Sequence, residues 1–308
     1  MGTVVVSLDA ELAWGYHDLD PFPSEKFRWA RDSWLWLLDA LENYEVPATW
    51  AIVGHLFLEE CNGVHEDHAA PPGWFQRDPG GKAGDHPHWF GPELIEAVLD
   101  SPVDHEVASH SFSHLEFGAE TTSREMARAE VAAAVDAAHD WGIDLESFVF
   151  PRNEVDHLGV LADMGFRNYR APAGRRLTRE PIAGVAKLVD YGVGLTAPTP
   201  SRPTIGDHGL VRHPASQYLF AFEKSPRAVL SPVQSEPVVS RVRKGLERVA
   251  RHGGILHLWF HPNELRSDDD RTRVGKVLAA IDRKRRRGNV EVETMSSVGR
   301  RVRSGLRT

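Results

Sequence analysis

One feature constrains the fold of this 308-residue chain more than any other. Short β-branched or apolar runs alternate, again and again, with segments whose apolar residues recur at helical spacing. "TVVVSL" (3–8) reads as a strand, and "SEKFRWARDSWLWLLDALENYEV" (24–46) as an amphipathic helix with Ser24 as its N-cap. "PATWAIVG" is the next strand, followed by a short helix "HLFLEE". Further along come a helix in "GPELIEAVLDS", a strand in "HEVASH", and a helix starting near "TSREMARAEVAAAVDAAHDWG". "ESFVFPRNEV" reads as a strand, "DHLGVLADMG" as a helix closed by Gly165, and "FRNYRAP" as a strand. Residues 174–240 are Pro- and Gly-rich and resist assignment, apart from a strand in "GLVRHPAS". A helix in "PVVSRVRKGLERVARHGG" leads to the strand "GILHLWFHP". "RTRVGKVLAAIDRKRRRG", "NVEVETM" and "SSVGRRVRSGL" close the chain as helix, strand and helix. Repeated βα units without an internal repeat or linker predict one parallel, barrel-like α/β domain over 1–308, with chemistry where strands end. The irregular stretch 61–91, rich in Gly, Pro, His and Trp, is expected to be an ordered functional loop inserted in that domain.

Composition narrows the function. The formal net charge of −8 argues against a nucleic-acid partner, and the single Cys61 excludes an intrachain disulfide. The basic run "RKRRRG" reads as the solvated last turn of a helix, where cations suit the dipole. No apolar run approaches the ~20 residues of a membrane helix. The opening "MGTVVVSLDAELAWG" shows neither a basic start nor an unbroken apolar stretch, so a cytoplasmic location is expected.

Four strand ends carry unusual polar residues. Asp9 and Glu11 in "SLDAEL" are two apart, which on a strand puts both carboxylates on one face, where they call for a cation or a shared proton. His110 and His114 in "SHSFSH" would lie one helical turn apart if a helix begins there; they are either two ligands of one ion or two ordinary histidines among 16. Two imidazoles and a carboxylate make an open metal site with room for water. "FVFPRNE" ends an apolar strand at Arg152 and Asn153, and an Arg there can clamp a carboxylate. His257, Trp259 and His261 share one face of "ILHLWFHP"; His261, last before Pro262, suits acid–base work, while His257 reads as a core residue or a substrate contact.

In this order, D-x-E, "SHSFSH", a strand-end Arg and a late strand ending in His-Pro, the chain resembles the polysaccharide deacetylases. These are carbohydrate esterase family 4, the NodB-homology group, and the resemblance spans roughly residues 3–300. It implies a distorted (β/α)7 barrel that removes N- or O-acetyl groups from sugars with a divalent metal, often zinc, with Co2+, Ni2+ or Mn2+ as alternatives. Carried over by position, His110, His114 and Glu11 bind the metal, Asp9 is the catalytic base, Arg152 orients it, and His261 is the general acid. Two departures stand out: Ala10 separates Asp9 from Glu11 where the family has adjacent aspartates, and "FPRNE" lacks the usual Arg-x-Pro-Tyr. Trp74 and Trp89 either offer flat faces to a sugar or pack against the barrel, with His86, His88 and Asn153 as further expected substrate contacts. The branch it looks most like acts in surface-polysaccharide synthesis, which implies a nucleotide- or lipid-linked sugar substrate. Two rivals are an amidohydrolase acting on a non-sugar amide or cyclic ureide, and a non-catalytic sugar binder on the same fold.

Overall fold

The computed structural model describes residues 1–172, 197–220 and 236–305. Most of the stretch 174–240 therefore lies outside the described residues. Twelve strands are described: β1 (Gly2–Ala10), β2 (Thr49–Ile52), β3 (Glu60–Cys61), β4 (Gly81–Lys82), β5 (Glu106–Ser109), β6 (Ser147–Val149), β7 (Asn168–Ala171), β8 (Thr204–Ile205), β9 (Val211–Pro214), β10 (Gln217–Tyr218), β11 (Ile255–Phe260) and β12 (Val290–Val292). The longer helices among these residues are α1 (Ala30–Asn43), α2 (Pro92–Leu99), α3 (Arg124–His139), α4 (Leu158–Asp163), α5 (Pro237–His252), α6 (Asp268–Arg286) and α7 (Met295–Arg303).

The main sheet runs β10-β11-β1-β2-β5-β6-β7-β9-β8, with β12 added on β1. Every neighbour pair is parallel except β8–β9. Its two ends are near in space, because Ala215 and Ser216 alone connect β9 to β10, and Ser216 N–H bonds the His257 carbonyl. The sheet thus curls toward the expected barrel. All nine residues of β1 are buried, as a central parallel strand covered on both faces requires.

The inward face sets the position of the site. Val5, Ala51, Ala108, Val149 and Ile255 pack with Met295 and Val298 of α7, so this helix plugs the interior at the strands' N-terminal side. Along β1 the inward positions then become polar, from Val5 to Ser7 to Asp9. An apolar floor and an open, polar C-terminal rim follow from that gradient. On the outer face, α1, α5 and α6 share one large apolar cluster with the strands. Ser123, Ser267 and Thr294 cap their helices as N-cap oxygens accepting backbone N–H groups.

Local differences from expectation have simple causes. Ser24 opens a separate 3-10 turn, and α1 starts only at Ala30. Gly165 follows α4 with φ +91°, as a helix-ending glycine should. "RKRRRG" is the last turn of α6, where Arg285 bonds Glu45 and Asp282. No helix starts at His110: "HSFSH" is a loop with positive φ at Ser111 (61°) and His114 (65°). Among the described residues, no helix is long and apolar enough to cross a membrane.

Candidate active site

Asp9 closes the inward face of β1 and is 3% exposed. Arg170, the inward residue of β7, is fully buried and grips it from across the barrel: Nη1 donates to Oδ1 at 2.5 Å and Nη2 to Oδ2 at 2.6 Å. Arg170 also donates to Ser7 Oγ at 3.2 Å and to Asn153 Oδ1 at 3.0 Å, and its guanidinium lies 4.4 Å from the Trp259 ring centre. Burial by itself would raise the Asp9 carboxyl, but the charge and hydrogen bonds of Arg170 outweigh it and hold the group below its usual value. Asp9 is therefore an ionised, rigidly oriented carboxylate.

Glu11 lies just past β1, at the start of a short 3-10 turn. Its side chain folds across Gly15, where a Cβ would sit 2.2 Å from the Glu11 carboxyl carbon, so only glycine fits. Glu11 Oε2 meets His114 Nε2 at 3.0 Å and His110 Nε2 at 3.5 Å, and all three side chains are buried. His110 Nδ1 contacts the Val149 carbonyl at 2.8 Å. A carbonyl only accepts, so Nδ1 carries the proton and Nε2 keeps its lone pair toward Glu11. Burial raises the Glu11 carboxyl, yet the charges of His261 and His114 lower it further, leaving it well below its ordinary value. The three donor atoms lie within 4.8 Å of one another beside an open cleft, which fits a divalent ion held from one side.

The loop carrying the two histidines is clamped from beneath. Glu130 of α3, fully buried, accepts the N–H groups of Phe112 (3.0 Å) and Ser113 (2.8 Å), the Ser113 hydroxyl, and His68 Nε2 (3.0 Å). Those bonds hold two positive-φ residues in place, and so fix the imidazoles four residues apart without a helix.

His261 faces the same space from the end of β11. Its Nε2 is 3.7 Å from Asp9 Oδ2 and 3.8 Å from Glu11 Oε1, while Nδ1 is 3.3 Å from Glu264 Oε2. Glu264 also accepts the His261 backbone N–H at 3.0 Å and a bond from the Tyr218 hydroxyl. Burial, with Glu11 and Asp9 nearby, pushes the Glu264 carboxyl up to about 8. The cleft above these groups has a volume of about 930 Å³, and Tyr16, Tyr218 and Trp259 supply aromatic wall.

Several expected residues sit elsewhere. Arg152 lines the cleft, but it does not clamp Asp9; it pairs with Asp18 and Glu116. The turn explains this: Arg152 (φ 55°) and Asn153 (φ 59°) are both left-handed, which sends Asn153 inward to Arg170 and Arg152 outward. Trp74 and Trp89 do not line the cleft. Trp74 donates to Ser113 Oγ at 2.8 Å, and Trp89 packs on Trp14 and Phe22. His86 lies near Gly81 and His88 beside Phe27, also away from the cleft. His257 is a core residue bonded to Ser7 Oγ at 2.9 Å; burial, then Arg170, keeps it neutral by lowering it well below the usual imidazole value. Arg170, Glu130 and Glu264 were not singled out from the sequence, although a charged residue inside the strand "NYRA" and a Glu amid the alanines of α3 were visible.

Comparison with known proteins bears on the fold. Residues 28–169 match the family model described as polysaccharide deacetylase. That span holds His110, His114, Arg152 and Asn153, while Asp9, Glu11 and His261 are joined to it by the geometry above. The fold resembles a crystal structure described as a putative polysaccharide deacetylase from Mycobacterium smegmatis, with TM-score 0.64 and 18% identity over 99% of this chain and 92% of that one. A GH57-type branching enzyme from the hyperthermophilic archaeon Pyrococcus horikoshii shares the fold at TM-score 0.53 and 11% identity, covering 96% of this chain and 69% of that one. A family 4 carbohydrate esterase from Streptomyces lividans aligns at TM-score 0.45 and 13% identity, over 94% and 91%. No curated protein sequence matches. The chain thus has an α/β fold with a curled parallel sheet of the NodB type, and its residues 28–169 match the polysaccharide deacetylase model.

Proposed function

We propose that this protein is a metal-dependent deacetylase that hydrolyses an acetamide on a sugar or glycan intermediate. One observation carries the reading: Glu11, His110 and His114 converge beneath a cleft into which Asp9 and His261 also face, 3.7 Å apart. Glu11 Oε2 and the two Nε2 atoms would hold the ion, zinc being suited to two imidazoles and a carboxylate. When bound, a divalent ion supplies Lewis acidity at the acetyl carbonyl and toward water.

The chain's own residues do the rest. Arg170 keeps Asp9 ionised and fixed, so that its free lone pairs can take the proton of the attacking water. The C–N bond of the tetrahedral adduct then breaks, and His261 Nε2 delivers a proton to the departing amine. Glu264 at Nδ1 fixes the ring with Nε2 toward the cleft. The sugar ring has Tyr218 and Trp259 to stack on, themselves stacked at 4.4 Å.

Acetate release from a panel of N- and O-acetylated sugars, free and carrier-linked, and from a cyclic ureide tests the reading. The expected result is metal-dependent acetate release from an N-acetylated sugar, lost in His110→Ala/His114→Ala together with one bound ion. A double variant that keeps both its metal content and its activity would refute it. Ring opening of the ureide without acetate release would assign the site to another amidohydrolase.

A further inference from the structure

The 61–91 insertion contains a knot of polar side chains that the deacetylation chemistry does not use. Its only ladder among the described residues is the two-residue pairing of β3 with β4, Glu60 with Lys82 and Cys61 with Gly81. A hairpin that short does not hold a segment of this length by itself. Among the contacts that gather the segment is a cluster of four metal-ligand residue types. His55 comes from the turn after β2, so it belongs to the barrel; Cys61, His65 and Asp78 come from the insertion.

The donor atoms share one point. Asp78 Oδ2 lies 3.0 Å from His55 Nε2, 2.6 Å from His65 Nε2 and 3.6 Å from Cys61 Sγ; Cys61 Sγ is 3.3 Å from His65 Nε2. Metal–ligand bonds of roughly 2.0–2.3 Å in a tetrahedron put ligand atoms roughly 3.3–3.8 Å apart, so a slight expansion of this cluster admits an ion. The His55 and Asp78 side chains have no exposed surface, and that of His65 has 10%.

His55 aims a buried ring nitrogen into the cluster from the barrel side. Its Nδ1 faces the Trp89 carbonyl at 3.3 Å, which can only accept, so Nδ1 bears the hydrogen. In the neutral ring Nε2 is then a bare lone pair, buried and with no hydrogen-bond partner, pointed at a carboxylate oxygen 3.0 Å away. A cation between them turns that repulsion into two bonds. The outer contacts suit a metal site as well. Gly63 N–H points at Cys61 Sγ (3.3 Å) and Gly80 N–H at Asp78 Oδ1 (3.0 Å), each anchoring a ligand from a second side.

We propose that His55, Cys61, His65 and Asp78 bind a structural zinc ion that pins the insertion to the end of β2. Four protein ligands leave no open position, which marks the site as structural rather than catalytic. The thiolate disfavours Mg2+ and Ca2+. It is a different site from Glu11, His110 and His114, which contains no sulfur. Its structural consequence reaches that site all the same, because the pinned segment carries His68 and Trp74, which bond Glu130 and Ser113 under the histidine loop.

The sulfur makes the test specific. The full chain is loaded with Co2+ and its absorption spectrum and cobalt content are measured, for wild type, Cys61→Ser and His110→Ala/His114→Ala. The expected wild type binds about two ions and shows the near-ultraviolet thiolate-to-cobalt charge-transfer band. The histidine double variant keeps the band with one ion fewer, and Cys61→Ser loses the band. Cobalt-loaded wild type without a thiolate band overturns the proposal, and this arm needs no variant to fold. Equal cobalt content in Cys61→Ser and wild type, alongside loss of an ion in the double variant, would overturn it while leaving the deacetylase reading intact.

Discussion

The pairing of Arg170 with Asp9 makes the sharpest prediction, because the sequence pattern points to a different arginine. Arg170→Met keeps much of the side-chain length and removes the charge. Asp9, 3% exposed, would lose both of its short hydrogen bonds and stand as an unpaired buried carboxylate. Breaking one side of a buried pair costs about 3–5 kcal/mol. Arg152→Met breaks pairs with Asp18 and Glu116, but the Arg152 side chain is 35% exposed, and partly exposed pairs are worth about 0–1 kcal/mol. Urea denaturation of the two variants should therefore separate them by several kcal/mol. Activity adds a second, independent reading. Arg170 is what holds the Asp9 carboxyl low against burial, so in Arg170→Met the base is protonated at higher pH. The acid limb of the kcat/KM profile should move to higher pH, with a loss of roughly 10²-fold at neutrality from misplacement of the base. Asp9→Asn/Arg170→Met, which deletes the orphaned charge, should be more stable than the sum of the single changes implies. Equal effects of Arg170→Met and Arg152→Met, or strict additivity in the double variant, would refute the assignment of Arg170 as the residue that holds the base.

Three further outcomes follow from the same geometry. His261→Ala should lower kcat by roughly 10²–10⁴-fold with little change in bound metal, and a variant with wild-type kcat would remove His261 from the reaction. Trp259→Ala should raise KM for a sugar substrate, whereas Trp74→Phe, which loses only the bond to Ser113, should cost about 1 kcal/mol in stability and leave KM alone; the reverse pattern would return the insertion to the cleft wall. His213 is fully buried, and burial pulls its imidazole down to about 3, so the folded chain leaves it neutral where the unfolded chain, with an ordinary value near 6.5, takes up a proton. Stability contributed by this residue is lost as pH falls from about 6.5 toward about 3, at roughly 1.4 kcal/mol per pH unit. His213→Gln should flatten the pH dependence of unfolding in that window by about that slope, and an unchanged slope would show that His213 is protonated in the fold.

Strand and helix succession was legible because the pattern it rests on is local. Each β-branched run needs only its own neighbours to be recognised, and a parallel barrel is the compact way to bury both faces of β1. The histidine pair was legible for a less obvious reason. A separation of four residues brings two imidazoles together in a helix, and here it does so in a loop with two left-handed residues. Two residues that meet at Glu11 therefore emerged from the wrong local conformation. What escaped was everything decided across the barrel. β1 and β7 are not neighbours in the sheet, so no strand periodicity says that Arg170 meets Asp9. "FPRNE" drew attention because a charged residue ends an apolar run, yet its two positive-φ residues turn Arg152 away and deliver Asn153 instead. The role of the aromatic stretch stayed open on the same ground, since Trp, His and Gly in an irregular stretch suit a cleft wall as well as a brace. Its indole and imidazole groups reach Ser113 and Glu130, beneath the loop that holds His110 and His114. A loop can thus shape an active site from behind, by fixing the backbone that aims the ligands. That role leaves no motif, because it depends on which buried carboxylate the loop happens to meet.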